Sequence, residues 1–173
     1  MNAGMFDEDG YPIGLYVENA RELHPANTRG GKGNFHLKPN GVFHGGNGTW
    51  RVSETDLYLS YDMAGHHPYA TQSGPMLVID GDLHPDFAEN GTSLHIRNGV
   101  GVDEAGLVHF AISDELVSFG RFARFFRDEA KTPNALYFDG AVSALWSPAD
   151  GRLDPSPPLG PLIVVTERAK AAP

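Results

Sequence analysis

The chain has 173 residues, with 13 Lys or Arg against 22 Asp or Glu, so its formal net charge is −9. This length predicts one domain, and the acidic balance argues against general nucleic-acid binding, which needs a basic face. The chain contains no Cys, which excludes a disulfide scaffold, a thiol nucleophile and a cysteine-based metal site. No apolar run approaches the ~20 residues of a membrane helix, so we predict no membrane span.

The composition of the chain predicts a sheet-rich fold. Its 21 glycines and 13 prolines are spread along the whole length, which indicates many short elements joined by turns. Asn-Gly, Asp-Gly and late-loop glycines between apolar segments are typical of β-hairpins. Three hairpins are predicted: 35–44 turning at Asn40-Gly41, 75–83 turning at Asp80-Gly81, and 97–112 turning at 103–106.

One amphipathic helix is predicted from Glu115 to about Lys131, because apolar residues recur there at helical spacing. The apolar positions are Leu116, Phe119, Phe122, Phe125 and Phe126. Ser118 or Asp114 is the expected N-cap. A buried strand, 135–138, ends at Asp139-Gly140, and a last strand is expected over 159–165. We therefore predict a single α+β domain over 1–166, with several antiparallel hairpins, one main helix and a flexible tail over 167–173.

The histidines do not form a recognisable metal motif. His66-His67 with Asp62 nearby, and His84 or His95 elsewhere, are candidates, but no H-x-x-x-H spacing on a helix is present. A G-x-S-x-G nucleophile elbow is also missing. The Asn-Gly-Thr triplets at Asn47 and Asn90 fit an N-glycosylation pattern but are interpreted as turns. We predict no metal site and no cofactor, and the sequence leaves a requirement for a divalent cation open.

Polar residues at strand ends are the stronger functional candidates. Gln72 and Ser73 directly precede the apolar run 76–79, and Asp139 follows another apolar run. Small residues after Asp139 would let a ligand approach the backbone. From spacing alone, an ordinary turn is favoured for Asp139-Gly140, and an exposed arginine on a strand is favoured for Arg97.

Five blocks then occur in the order found in one known family: 2–6, 73–81, 97–103, 139–143 and 160–165. Over nearly its whole length the chain resembles the phosphodiester glycosidase family. By that resemblance it corresponds to the C-terminal part of the family domain and lacks the N-terminal part. An exposed sheet edge would then need a cover, for which a homo-oligomer is the expected solution. The family's Asp-Gly-Gly-x-Ser block has Ala141 in place of the second glycine.

The resemblance also implies roles for individual residues. Arg97 would grip the phosphate, for which a bidentate guanidinium is suited, and Asp139 would act as nucleophile or as base for water. The remaining positions would form the substrate-binding set: Asn2, Gln72, Ser73, Gly74, Gly140 and Ser143. A phosphate leaves as a stable anion, so one carboxylate and one arginine could suffice where glycosidases normally need two carboxyl groups. Asp103 is a candidate second carboxylate, but a hairpin-turn role is favoured for it.

The predicted function is hydrolysis of a glycosidic bond to phosphate in a sugar phosphodiester or an envelope glycan. Two other classes stay open: an esterase or phosphodiesterase that uses the same cleft, and a non-catalytic glycan-binding module. The resemblance favours a periplasmic or extracellular location, although the chain shows no signal peptide at its start.

Overall fold

The computed structural model describes residues 1–61 and 67–166. The predicted tail 167–173, together with Asp62 and His66 of the histidine-rich segment, lies outside these residues. Within the described ranges, no helix is both long and apolar enough to cross a membrane.

Two five-stranded antiparallel sheets form the fold. The first sheet has the order β2-β1-β5-β3-β4 and the second has the order β7-β6-β10-β8-β9. The first contains β1 (Tyr16–Glu18), β2 (Arg21–His24), β3 (Gly41–Gly46), β4 (Thr49–Glu54) and β5 (Tyr69–Ser73). The second contains β6 (Met76–Ile79), β7 (Asp82–Leu83), β8 (Asn98–Val102), β9 (Val108–Ile112) and β10 (Asn134–Asp139). A small hairpin pairs β11 (Trp146–Ser147) with β12 (Arg152–Leu153).

Short helical segments cover the outer faces of the sheets. Helix α1 spans Thr55–Ser60, and helix α2 spans Phe119–Arg124 and continues as a π-helical turn over Phe125–Glu129. Two 3-10 turns occur at Asn34–His36 and Pro148–Asp150.

The layers follow from the alternation of side chains along the strands. In β10, Leu136 and Phe138 pack into the core between the two sheets, whereas Ala135 and Tyr137 pack against α2. Because both faces of this central strand are covered, its sequence reads as a continuous apolar run rather than an alternating one. On the outer face of the first sheet, Val42 packs with Tyr58 of α1. The order of layers is therefore α1, first sheet, second sheet, α2.

Most of the predicted architecture is confirmed, and the α+β class with one main helix is correct. The strand pairs β6–β7 and β8–β9 form the second and third predicted hairpins, and Gly106 has the expected positive φ of 83°. The first predicted hairpin is wrong. Asn40 is buried and its amide donates to the Phe35 carbonyl oxygen at 3.0 Å, so Gly41 begins a strand instead of closing a turn. The real turn is Asn47-Gly48, which joins β3 to β4 with φ of 54° and 88°.

Two element boundaries also differ from the prediction. The predicted strand over 159–165 contributes only an isolated bridge between Leu162 and Asn2. The main helix begins at Phe119 rather than Glu115, with the Ser118 hydroxyl oxygen accepting a bond from the Arg121 N–H at 3.2 Å. Leu116 therefore lies before the helix and is 60% exposed.

Candidate functional site

The candidate site lies where β10 ends and β8 begins. These strands are antiparallel neighbours, and Asp139 is paired with Asn98 in their register. Because the C-terminal end of one strand meets the N-terminal end of the other, Asp139, Asn98 and the preceding Arg97 lie at the same edge of the second sheet. The predicted residues Asp139 and Arg97 are thus brought into one region.

The Asp139 carboxylate is held firmly on one side. Its Oδ1 accepts hydrogen bonds from the backbone N–H groups of Gly140 at 2.6 Å and Ala141 at 2.7 Å. Among the described residues, no hydrogen bond forms to Oδ2, and the residue is partly exposed. The turn interpretation of Asp139-Gly140 is therefore correct, and it leaves one carboxylate oxygen available in a fixed orientation.

A residue that sequence reasoning missed, Asn98, organises this turn. It is fully buried, and its Oδ1 accepts from the Asp139 N–H at 3.0 Å and lies 3.3 Å from the Ser143 hydroxyl. Its Nδ2 donates to Asn2 Oδ1 at 2.9 Å and to the Asn2 carbonyl oxygen at 3.0 Å. The sequence does show a polar residue, Asn98, at the start of a strand. Its position opposite Asp139 becomes visible only once the register of β8 against β10 is known.

Asn2 and Ser143 belong to this network, and their side chains are largely occupied by it. Asn2 is fully buried, and its Oδ1 also accepts from the Ala144 N–H at 3.0 Å. The Ser143 hydroxyl lies 3.0 Å from both the Asp139 and the Ile96 carbonyl oxygens. These contacts fix the loop that follows Asp139. Binding of sugar hydroxyls by either residue stays a prediction.

Arg97 is buried rather than exposed, so its interpretation as an ordinary surface arginine on a strand is wrong. Its side chain has no exposed surface. The guanidinium donates to the Val117 carbonyl oxygen at 2.9 Å, the Ser93 carbonyl oxygen at 2.9 Å and the Tyr137 hydroxyl at 3.2 Å. Its Cζ lies 3.6 Å from the centre of the Phe119 ring. In this structure, aromatic rings and backbone carbonyl groups surround the guanidinium. Direct contact of Arg97 with a phosphate stays a prediction.

Tyr137 is a second residue that sequence reasoning missed, and it links Arg97 to the turn. Burial raises its pKa well above the usual range, while the smaller effects of Arg97 and Asp139 oppose each other. A side chain at Gly140 would overlap the Tyr137 hydroxyl, so this hydroxyl packs directly against the turn. Ala141 is not among the residues with positive φ, so its methyl group causes no backbone strain there.

The other predicted substrate-binding residues, Gln72, Ser73 and Gly74, lie at the junction between the sheets. Gln72 is buried, with Oε1 accepting from the Leu15 and Asn27 N–H groups at 2.9 Å each. The Ser73 hydroxyl donates to the Phe138 carbonyl oxygen at 2.9 Å. A side chain at Gly74 would meet the Phe35 carbonyl oxygen at 2.9 Å. These contacts account for the three residues structurally, and their role in binding substrate stays a prediction.

The described residues contain no group of three or more His, Asp or Glu side chains that could hold a metal ion. His84 instead lies 3.0 Å from the Lys38 carbonyl oxygen. Asp103 has the expected turn role, since its Oδ1 accepts from the Leu107 N–H at 2.9 Å. Its Oδ2 also lies 2.9 Å from His109, and these hydrogen bonds lower the pKa of Asp103.

Comparison with known proteins identifies a family and a curated relative with similar sequences. The sequence profile described as phosphodiester glycosidase matches residues 1–160. A curated relative from Escherichia coli strain K12, the uncharacterized protein YigE, is 34% identical over 146 residues, which are 84% of this chain and 56% of the relative.

A solved structure shows a similar fold. It is the zebrafish N-acetylglucosamine-1-phosphodiester alpha-N-acetylglucosaminidase catalytic domain auto-inhibited by its pro-peptide. It aligns with a TM-score of 0.55 at 17% identity over 80% of this chain and 49% of its own. A hypothetical protein from Synechocystis aligns with a TM-score of 0.48 at 13% identity, over 80% of this chain and 45% of its own. This chain therefore spans about half the length of the proteins it matches.

Proposed function

The chain belongs to the phosphodiester glycosidase family, and we propose that it hydrolyses a glycosidic bond to phosphate in a sugar phosphodiester or an envelope glycan. The observation that carries this proposal is the Asp139 carboxylate. One of its oxygens is fixed by two backbone N–H groups, and the other is available beside small residues at a strand end. The reacting group is thus oriented before substrate arrives. Such orientation accounts for much of the rate enhancement of enzymes.

In the proposed reaction, Asp139 acts at the anomeric carbon, either directly as a nucleophile or as a base that takes a proton from water. The bond from the anomeric carbon to the phosphate oxygen breaks, and the electron pair leaves with the phosphate. If Asp139 acts as the nucleophile, water then hydrolyses the glycosyl–aspartate ester and regenerates the carboxylate. On either route the products are the free sugar and a phosphate monoester. Since the departing group is an anion of low basicity, stabilisation of its charge replaces much of the work of a general acid.

The surrounding polar side chains position Asp139 and take no part in bond cleavage themselves. Asn98 holds the Asp139 backbone, and Asn2 and Ser143 hold the loop that follows. We propose that these three residues position the turn. Ala141 is exposed, so a substrate can approach the backbone on this side of the turn.

The test is hydrolysis of a panel of sugar-1-phosphodiesters by the wild type and by Asp139→Asn. Asparagine keeps an oxygen that can accept both turn hydrogen bonds, so the fold should survive. We expect a loss of about 10²- to 10⁴-fold in kcat/KM. Asp103→Asn is the matched control, because Asp103 also caps a turn but follows the other end of β8. Equal losses in the two variants would contradict the proposed role of Asp139.

Oxygen-18 water distinguishes this reaction from that of a phosphodiesterase. Label in the released sugar indicates cleavage of the carbon–oxygen bond, whereas label in the phosphate indicates cleavage at phosphorus. Aryl and acyl esters included in the panel report an esterase. If the folded protein binds sugar phosphodiesters without cleaving any of them, the protein is a binding module. Its mass in solution, measured in the same experiments, tests the predicted homo-oligomer.

A further inference from the structure

Arg97 carries a buried positive charge that makes no direct ion pair with a carboxylate. Within the described ranges, none of the ion pairs shorter than 4.0 Å includes Arg97, although its side chain has no exposed surface. Its three hydrogen-bond acceptors are two carbonyl oxygens and a hydroxyl, all of them neutral. Burial accordingly lowers the pKa of Arg97. Removing an unpaired charge from water carries a large desolvation penalty, so a structure that retains one usually has a use for it.

The aromatic rings around the guanidinium hold this charge in place. Phe119 lies under its Cζ at 3.6 Å, and the Tyr137 ring centre is 5.3 Å away. The two rings also pack edge to face, with centres 4.8 Å apart. Cation–π contacts and neutral acceptors stabilise the cation without cancelling its field. That field is weakly screened, because water and salt ions do not reach the guanidinium.

Tyr137 lies between the guanidinium and the candidate site. Its hydroxyl receives the hydrogen bond from Arg97 Nη1 on one side. On the other side the same hydroxyl lies against Gly140, one residue after Asp139. A phosphate at the Asp139-Gly140 turn would therefore be separated from the guanidinium by little more than one hydroxyl group and one glycine.

Building on the proposed function, we propose that Arg97 selects anionic substrates through its buried charge, acting across Tyr137 rather than by touching the phosphate. Arg97 is then a positioning and specificity-determining residue, and its effect depends on the charge of the ligand. Glycosyl phosphodiesters benefit from the field, whereas neutral glycosides of the same sugar do not. The field also stabilises the negative charge that develops on the departing phosphate.

The test measures binding without turnover, in the Asp139→Asn background. Dissociation constants are compared for two ligands with the same sugar and anomer, a glycosyl phosphodiester that the wild type cleaves and the neutral p-nitrophenyl glycoside. At an effective dielectric constant of about 20, loss of a unit charge several ångströms away weakens anion binding by roughly tenfold or more. We expect this loss for the phosphodiester in Arg97→Met, with less than about a twofold change for the neutral glycoside. At a pH low enough to keep its ammonium protonated, Arg97→Lys should retain the preference for the phosphodiester.

Equal weakening of both ligands in Arg97→Met would indicate a purely structural role and would overturn this inference. If Arg97→Met does not fold, as judged by circular dichroism, then Tyr137→Phe decides. It retains the buried guanidinium, so loss of the anion preference in this variant also overturns the inference. A wild type that cleaves no glycosyl phosphodiester at all is a different result, because it contradicts the proposed reaction itself.

Discussion

At the scale of single residues, Asn98 shows how one buried amide can define a site. It bonds to Asn2 and to the Asp139 N–H, and it lies 3.3 Å from the Ser143 hydroxyl. Together with Asn98 itself, these groups come from three separate parts of the chain. A buried amide left without such partners costs about 1 to 3 kcal/mol, so the network is stable only when all parts are present. The catalytic geometry proposed for Asp139 therefore depends on residues that need not touch the substrate.

Gly140 provides a residue-scale prediction. A methyl group at this position would overlap the Tyr137 hydroxyl, and Gly140 is not among the residues with positive φ. We therefore expect Gly140→Ala to lower the free energy of unfolding by about 1 to 3 kcal/mol. Because the overlap is with one oxygen atom, adding Tyr137→Phe should recover part of that loss. Denaturant unfolding of the two single variants and the double variant measures the coupling.

Gly91→Ala is the matched control for this cycle. A methyl group there would lie no closer than 3.8 Å to its neighbours, so we expect a change of at most about 0.5 kcal/mol. Strictly additive effects of Gly140→Ala and Tyr137→Phe would show that the hydroxyl does not support the turn.

At the scale of elements, the start of α2 depends on one hydroxyl. Both Ser118 and Asp114 are plausible caps from the sequence, but the structure uses Ser118, which is buried. We expect Ser118→Ala to lower the free energy of unfolding by about 1 kcal/mol, measured by urea denaturation. Asp114→Ala is the control. Asp114 is 84% exposed, and among the described residues its one ion pair is with Arg152; exposed ion pairs contribute little. A larger effect from Asp114 would contradict the assignment of the cap.

Sequence patterns predicted elements well where the relevant interactions are local. The turns at Asp80-Gly81 and 103–106 depend on residues within a few positions of each other, and both hairpins form. Asn40-Gly41 has the same local signal, but the buried Asn40 amide bonds instead to Phe35. The register that brings Asn98 opposite Asp139 is a long-range property. For that reason Asp139 was identified as a candidate, while Asn98 and Tyr137 were not.

At the scale of the whole molecule, the layered arrangement buries polar groups on both outer faces as well as between the sheets. His44 lies on the α1 side of the first sheet and is 1% exposed. Its Nε2 lies 2.9 Å from the Ser53 hydroxyl, while its Nδ1 has no hydrogen-bond partner among the described residues. Burial, with smaller contributions from His67 and Arg51, lowers the pKa of His44 from 6.5 to about 3. The folded protein therefore keeps this imidazole neutral at mildly acidic pH.

This difference predicts how stability depends on pH. Between pH 6.5 and about 3, His44 is protonated in the unfolded chain but not in the folded protein, so the unfolded state binds the additional proton. Acidification through this range therefore favours unfolding, and His44 alone contributes about 1.4 kcal/mol per pH unit well below pH 6.5. His44→Gln removes the titration and retains an amide that can reach Ser53. Its free energy of unfolding should therefore fall less steeply than that of the wild type between pH 6 and pH 4.5.

Guanidinium denaturation at several pH values in this range measures both slopes. The pKa of His84 is also lowered, chiefly by burial, but that residue is present in both proteins, and its contribution cancels in the comparison. Hydrogen bonds with Arg152 lower the pKa of Asp154 from its ordinary value of 3.8, so its stabilising contribution is lost only below about pH 4, outside the chosen range. Parallel curves for the wild type and His44→Gln would mean that His44 takes up its proton without unfolding, and hence that the α1 face of the first sheet opens to water in the native state.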